Sequence, residues 1–347
     1  MSTIAVAGHV CLDITPRLGS AASVTPGQLI EVGALTVTAG GSVANTGGAL
    51  AALGSRVLPI ATVGDDPVAQ ILREKLAELG LDADRLVTVP GGSTSYSVVI
   101  ESPGEDRTFW HHTGTNATFD GSAVAPADVD IFHLGYPPLL PALVADRAAP
   151  LHRLLDAARS AGATTSVDLA VVDPASPVGT LDWNAILEAI APVTDVLTPS
   201  LDDLTSALGI AEPFSNELID RLSRWLIGAG VGVVAISAGS HGLFVRTAGA
   251  ERLAAGGSAL AAVSREWADR EVQWAPVAVE TVVTTNGAGD AASAGLLFAL
   301  ATGADIELAG LLATATAAAH IGGARPTPGA VIALNPALES LWERTTP

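Results

Sequence analysis

Thr284-Thr285-Asn286-Gly287-Ala288-Gly289-Asp290 decides the fold, and it runs directly into the small-residue series Ala291-Ala292-Ser293-Ala294-Gly295. Val277 to Val283 before it is β-rich, and Ala288 to Ala301 after it reads as a helix. The glycines therefore fall at a strand-to-helix turn, with Asp290 in the first helical turn. Free N–H groups at such a turn, together with the helix dipole, favour an anion. Glycine lets a ligand approach the backbone with no Cβ in the way. An aspartate in the same turn would repel a bound phosphate. The conflict resolves if Asp290 is a base that takes a proton from a hydroxyl while the amides hold charge on the group being transferred. The plainer reading is a tight turn in which Asp290 only favours the helix start.

Composition narrows the partners. The chain has 347 residues, of which 49% are hydrophobic, enough for a large core in one or two domains. The formal net charge of −19 argues against a nucleic-acid partner, which would need a basic face. It is compatible with ATP, because a nest of amides plus Mg²⁺ overcomes a distant field. Cys11 is the sole cysteine, so no internal disulfide forms, and a reducing compartment fits. No basic region followed by an apolar stretch opens the chain, and runs such as Leu308–Ile321 are too short to span a bilayer. A cytoplasmic protein without membrane contact is expected. Lys75 is the sole lysine, and no Gly-x-x-x-x-Gly-Lys-[Ser/Thr] occurs. Phosphates must then be held by backbone amides, arginine and metal.

Elsewhere the chain alternates strand and helix signals. Ile4–Ala7 reads as a buried first strand ending at Gly8, with Asp13 shortly after it. An ionised carboxylate accepts two hydrogen bonds from a diol, whereas a turn or cap aspartate is the plainer reading. Gln28–Val32 and Ala34–Thr38 read as a strand pair turning at Gly33. Gly40-Gly41-Ser42-Val43-Ala44-Asn45 opens a small-residue helix running to Leu53-Gly54. A strand near Ser93–Ile100 and a second at Arg107–His112 read as a hairpin. His111 and His112 are adjacent on that strand and point to opposite faces, which speaks against a metal pair. From Asp130 onward the order is strand, helix, strand, helix, the pattern of a parallel α/β sheet. Ser200, before Leu201-Asp202-Asp203, reads as a helix N-cap followed by acidic first-turn residues. Ser237-Ala238-Gly239-Ser240-His241-Gly242 is a glycine turn between strands.

The chain resembles the PfkB/ribokinase family of sugar and nucleoside kinases. Residues 284–290 fit six of the seven positions of its Asp-Thr-x-Gly-Ala-Gly-Asp signature, with Thr284 in place of the first Asp. Gly40-Gly41 with Asn45 resembles its Gly-Gly-x-x-x-Asn signature, with Ser42 where ribokinases proper usually carry Lys. The resemblance spans nearly the whole chain. It implies a three-layer α/β fold with a mostly parallel central sheet (residues 1–12, 40–90 and 114–347) and a small β-sheet lid (13–39 and 91–113). It implies that Gly287, Ala288 and Gly289 form an anion hole and that Asp290 is the catalytic base. Asp13, Gly40, Gly41, Asn45, Asn116 and Arg107 would meet the acceptor. Ser237, Gly239, Gly242, Thr285 and Asn286 would meet ATP. Ser200 and Asp203 stand where the family has Asn-x-x-Glu, and would reach Mg²⁺ through water. In many relatives the first Asp of the signature helps bind a monovalent cation, so Thr284 implies little dependence on K⁺. A homodimer through the lid is implied. Residues 251–273 form a longer segment than the family usually carries, expected either to border the adenine pocket or to be a surface helix. The substrate is expected to be a sugar or a nucleoside. The alternative is a binding relative of weak activity; a dinucleotide-dependent oxidoreductase lacks its Gly-x-Gly-x-x-Gly after the first strand.

Overall fold

Short buried runs such as Thr3–Gly8, Ile131–Gly135 and Val233–Ser237 form the middle of the central sheet, as strands covered on both faces require, while the edge strands Arg56–Ile60 and Glu271–Trp274 are partly exposed. A computed structural model describes residues 2–19, 26–101, 108–124 and 128–343. From edge to edge the sheet runs Glu271–Trp274, Leu243–Thr247, Val233–Ser237, Val196–Leu197, Thr164–Asp168, Ile131–Gly135, Thr3–Gly8 and Arg56–Ile60. All pairings from Arg56–Ile60 to Val233–Ser237 are parallel; Leu243–Thr247 alone runs against the rest. Helices cover both faces, with one apolar core on each side of the sheet. Among the described residues, no helix is long and apolar enough to cross a membrane.

The strand order reverses at Thr3–Gly8, which has Arg56–Ile60 on one side and Ile131–Gly135 on the other. A reversal of this kind opens a crevice beyond the carboxyl ends of the strands, where open α/β sheets bind ligands. Gly8 and Gly135 are register partners there. A Cβ on Gly8 would lie 2.3 Å from the Gly135 carbonyl oxygen, so the two chains diverge from a contact only glycine allows. His9 and Tyr136, the next residue on each chain, therefore emerge side by side.

A second sheet of four strands stands over this end, in the order Leu35–Gly40, Cys11–Pro16, Tyr96–Ile100, Thr108–His112. Gln28–Val32 does not form the expected strand, and Leu35–Gly40 pairs with Cys11–Pro16 instead. The edge offered by Cys11–Pro16 supplies six register partners, and Gly33 closes the turn onto the Arg17 carbonyl oxygen at 2.7 Å. The hairpin between Tyr96–Ile100 and Thr108–His112 forms as expected.

Val277–Val283 is not a strand either. The last strand ends at Trp274, and the chain reaches the glycine turn as a loop. That loop is tied down where the Val283 and Thr284 amides donate to the Ile321 carbonyl oxygen at 2.8 and 3.3 Å. The helix Ala288–Ala301 then packs closely on Ile306–Ile321. A Cβ on Gly295 would come within 2.8 Å of Ala313, and one on Gly310 within 2.2 Å of the Trp274 ring. Small residues at these contacts fix the helix that carries Asp290.

Residues 251–270 lie at the opposite end from the expected place beside the adenine, and Glu271–Trp274 returns from there as the edge strand. Leu243–Thr247 runs antiparallel to its neighbour, so the chain leaving it emerges at the amino ends of the parallel strands. There, fully buried Asp195 gathers the segment. It accepts from Arg252 Nη1 at 3.0 Å, the Gly257 amide at 2.9 Å and the Thr165 amide at 3.1 Å. Trp267 is buried and donates from Nε1 to the Ala304 carbonyl oxygen at 3.0 Å.

Candidate active site

Asp290 is buried in the first turn of Ala288–Ala301 and receives three side-chain donors. Thr46 Oγ1 donates to Oδ1 at 2.9 Å, while Asn45 Nδ2 and the Tyr136 hydroxyl donate to Oδ2 at 3.1 and 2.5 Å. Asn45 and Thr46 lie in Ser42–Leu53, and Tyr136 follows the strand Ile131–Gly135, so three elements distant in sequence converge on one carboxylate. Burial raises its pKa, and the Tyr136, Thr46 and Asn45 donors and nearby His320 act in the opposite direction. Two further carboxyls feel it. Burial, then the charge of Asp290, pushes Asp168 well above the usual carboxylate range. Burial pushes Asp203 up to about 6.

The glycine turn has the expected form with one difference. Gly287 occupies the helix N-cap with φ 81°, a conformation that favours glycine. The Ala288 amide, expected in the anion hole, donates to the Thr285 carbonyl oxygen at 3.3 Å. Gly289 has nothing within 4 Å of where a Cβ would point, so its backbone borders open space. Asn286 accepts from His320 Nε2 on its carbonyl oxygen at 2.6 Å, and its amide donates to Thr284 Oγ1 at 3.2 Å. The Thr284 hydroxyl oxygen is thus engaged within the turn.

On the acceptor side, Asp13 sits against Gly40, where a Cβ would lie 2.1 Å from its Oδ2. Cys11 Sγ donates to Asp13 Oδ1 at 3.2 Å. Burial raises the Asp13 pKa, with the Cys11 and Ser97 hydrogen bonds lowering it in part. Gly41 takes φ 83° because His9 fills the space a Cβ would need. The register of the small sheet places Asp13, Ser97 and His111 in one row across its strands. His111 Nδ1 is 3.1 Å from Ser97 Oγ, and His112, on the other face, bonds Ser93 instead. His9 Nε2 lies 3.4 Å from His111 Nε2, and its ring stacks on Tyr136 at 6.0 Å. Burial lowers the His9 pKa to about 3, so the ring is neutral. Asn116 is wholly buried; its amide nitrogen donates to the Val10 carbonyl oxygen at 2.9 Å, which braces the chain behind Cys11. Arg107 lies outside the described residues.

The residues of the Ser237–Gly242 turn, expected to meet ATP, follow the carboxyl end of Val233–Ser237. Ser200 and Ser237 pair across adjacent strand ends. Gly239 has φ 53° and open space beside it, whereas Gly242 is pressed on Trp274, whose carbonyl oxygen a Cβ would approach to 2.0 Å. Ser200 and Asp203 form a capping box: the Asp203 amide donates to Ser200 Oγ at 3.0 Å and the Ser200 amide to Asp203 Oδ2 at 2.8 Å. Among the described residues, no group of three histidine, cysteine or acidic side chains is placed to hold a metal. Oxygen donors already engaged in a cap suit a hard cation reached through its water shell.

Tyr136, Thr46, Asp168 and His320 were not read from the sequence as site residues. Tyr136 and Asp168 each stand at the carboxyl end of a strand, which is the signal that would have found them. Nothing local marks Thr46 beyond its place after Asn45.

The two-sheet α/β architecture, with its crevice at the strand reversal, is the ribokinase-like fold. The chain belongs to the pfkB family of carbohydrate kinases, whose match covers residues 1–329. It is 30% identical over 303 residues to the 1-phosphofructokinase of Rhodobacter capsulatus, covering 84% of this chain and 82% of that one. Among solved structures, ribokinase of Arabidopsis thaliana, complexed with ribose and ATP, aligns with a TM-score of 0.73 at 19% identity, over 96% of this chain and 99% of that one. Ribokinase of Thermotoga maritima aligns at 0.71 and 19%, with the same coverage. The nucleoside kinase of Burkholderia thailandensis, in complex with inosine, aligns at 0.68 and 18%, over 97% of both chains.

Proposed function

We propose that this kinase transfers the γ-phosphoryl group of ATP to a hydroxyl of an uncharged sugar or nucleoside. The observation that carries this reading is the convergence of Asn45, Thr46 and Tyr136 on buried Asp290, at the start of a helix preceded by Gly287-Ala288-Gly289. Asp290 takes the proton of the attacking hydroxyl, and the amides of the first turn from Gly289 onward stabilise charge on the transferred group. Asp13 orients acceptor hydroxyls, backed by Gly40 and Gly41. The turn Ser237–Gly242 and residues Thr285–Asn286 border the nucleotide. When bound, Mg²⁺ offsets phosphate charge, with Ser200 and Asp203 on its water shell.

The acceptor is uncharged because of its surroundings. His9 is neutral, burial also lowers His111, and the nearby Asp13 and Asp290 are acidic. An acceptor already carrying phosphate would meet a repulsive field there. The half-buried Tyr136 ring, backed by His9, offers an aromatic surface suited to a sugar face or a base.

The test is a panel of sugars and nucleosides scored by ADP release coupled to product, for the wild type and Asp290→Asn. We expect turnover on the best substrate to fall roughly 10²–10⁴-fold with ATP binding nearly unchanged. A variant that keeps most of its turnover would sink the base assignment. Preference for a phosphorylated sugar would overturn the uncharged acceptor.

A further inference from the structure

We propose that Tyr136 is a placeholder for the acceptor hydroxyl. Before an acceptor binds, its phenol holds a place on Asp290 that an attacking hydroxyl must take and hinders the activation of water, and it gives way when an acceptor arrives. This rests on Asp290 being the base.

A carboxylate oxygen has two acceptor directions. On Asp290, Oδ2 accepts from Tyr136 at 2.5 Å and from Asn45 at 3.1 Å, and Oδ1 accepts from Thr46 at 2.9 Å, so both directions of Oδ2 and one of Oδ1 are filled, and the phenol holds the one that a mobile donor can free. Asn45 and Thr46 belong to the helix Ser42–Leu53, and Thr46 is fully buried. Tyr136 differs. It lies in no strand, is only half-buried and stands where the crevice opens. It is also held in the left-handed region, with φ 63° and ψ 50°, which a bulky residue rarely adopts. Backbone held this way concentrates at functional sites. An O–H donor aimed at the base reproduces the contact an attacking hydroxyl must make. Its ring lies on His9, and His9 meets His111 of the small sheet at a ring separation of 5.1 Å. Seating of that sheet over a substrate is thereby linked to the position of the phenol.

Without an acceptor, an unguarded base would let water attack the γ-phosphorus. The new bond forms between the water oxygen and phosphorus, the bond to the ADP oxygen breaks, and the water proton passes to Asp290. The placeholder suppresses this reaction. The experiment measures phosphate release from Mg²⁺–ATP with no acceptor, in the wild type, Tyr136→Phe, Asp290→Asn and the double variant. Tyr136→Phe keeps the ring on His9 and removes only the hydroxyl. We expect it to raise hydrolysis about tenfold, and the double variant to lose that rise. The acid limb of the Tyr136→Phe pH profile should move to higher pH, because a donor that stabilised the carboxylate is gone. Asp168, Asp203 and His320 also face Asp290, but they are common to both proteins and set the position of the limb rather than its displacement. Unchanged or slower hydrolysis in Tyr136→Phe overturns the placeholder alone. A rise that persists in the double variant overturns the base assignment, and the placeholder with it.

Discussion

Two glycines of one turn are present for different reasons. Gly287 sits at φ 81° with a would-be Cβ 3.0 Å from His320 Nε2, so alanine there is strained in backbone and contact. Gly289 has an ordinary helical conformation and open space beside it. We expect Gly287→Ala to lower stability by roughly 1–2 kcal/mol, the usual penalty of a left-handed non-glycine residue. Gly289→Ala should fold as well as the wild type or better, since alanine in a helix is favoured by up to about 1 kcal/mol over glycine. On the proposed function its methyl group enters the space assigned to the transferred phosphoryl group, so turnover should fall at least tenfold. Urea unfolding and initial rates on the pair separate the two roles. Equal stability of both variants, or full turnover in Gly289→Ala, would show the distinction to be false. The sequence made both glycines visible as a turn. It could not separate them, because the difference lies in φ and in a contact with His320, 33 residues further on.

Helix starts were legible because a cap is local chemistry. Ser200 reads as an N-cap from sequence, and its capping box with Asp203 is present. The electrostatics of that cap were not legible, because the burial of Asp203 and the nearby Asp290 carboxyl come from other elements, and only Asp202 is local. The Asp203 carboxyl stands at about 6 against 3.8 when solvated, chiefly through burial. Below pH 3.8 both folded and unfolded chains hold its proton and it has no effect. As pH rises towards 6, the unfolded chain has lost the proton while the folded one keeps it, so stability falls with pH. Once ionised, the group costs the folded state up to roughly 3 kcal/mol. Asp203→Asn keeps an oxygen for the Ser200 amide and carries no charge. Its stability should therefore fall less than that of the wild type between pH 4.5 and 7.5, measured by urea unfolding. Asp168, raised in the same direction, remains and leaves a residual slope. Parallel curves for the two proteins would refute this account. The misplacement of 251–273 has a similar origin: whether one strand runs up or down is decided by pairing across the sheet, which a local pattern does not encode.

At the scale of the molecule, a mostly parallel sheet was readable from alternating strand and helix signals, but the order of its strands and the surface of the small sheet were not. The register aligns Val37, Ile14, Val98 and Trp110 in one row, and therefore on one face. Trp110 is 50% exposed there, Leu35 on the same face is 58% exposed, and Leu29 in the neighbouring loop is 96% exposed. Apolar side chains gathered on a sheet whose edge strands have no further strand partner among the described residues form a surface that a second copy would cover. We propose a homodimer joined through these strands. Each copy carries a formal charge of −19, so two copies repel through solvent, and the contact must be driven by apolar burial. Salt screens that repulsion, with a Debye length near 10 Å at 0.1 M, and leaves the apolar term in place. Dimerisation should therefore tighten as salt rises, the reverse of an interface held by ion pairs. Sedimentation velocity at micromolar concentration, across about 0.02–0.5 M salt, reads this directly. Trp110→Asp and Leu35→Asp should shift the protein to monomer at every salt concentration while leaving the fold of the single chain intact by circular dichroism, since both side chains are exposed in the single chain. A wild-type monomer throughout the series would eliminate the dimer. A dimer that dissociates as salt is added would place it on a charged surface elsewhere.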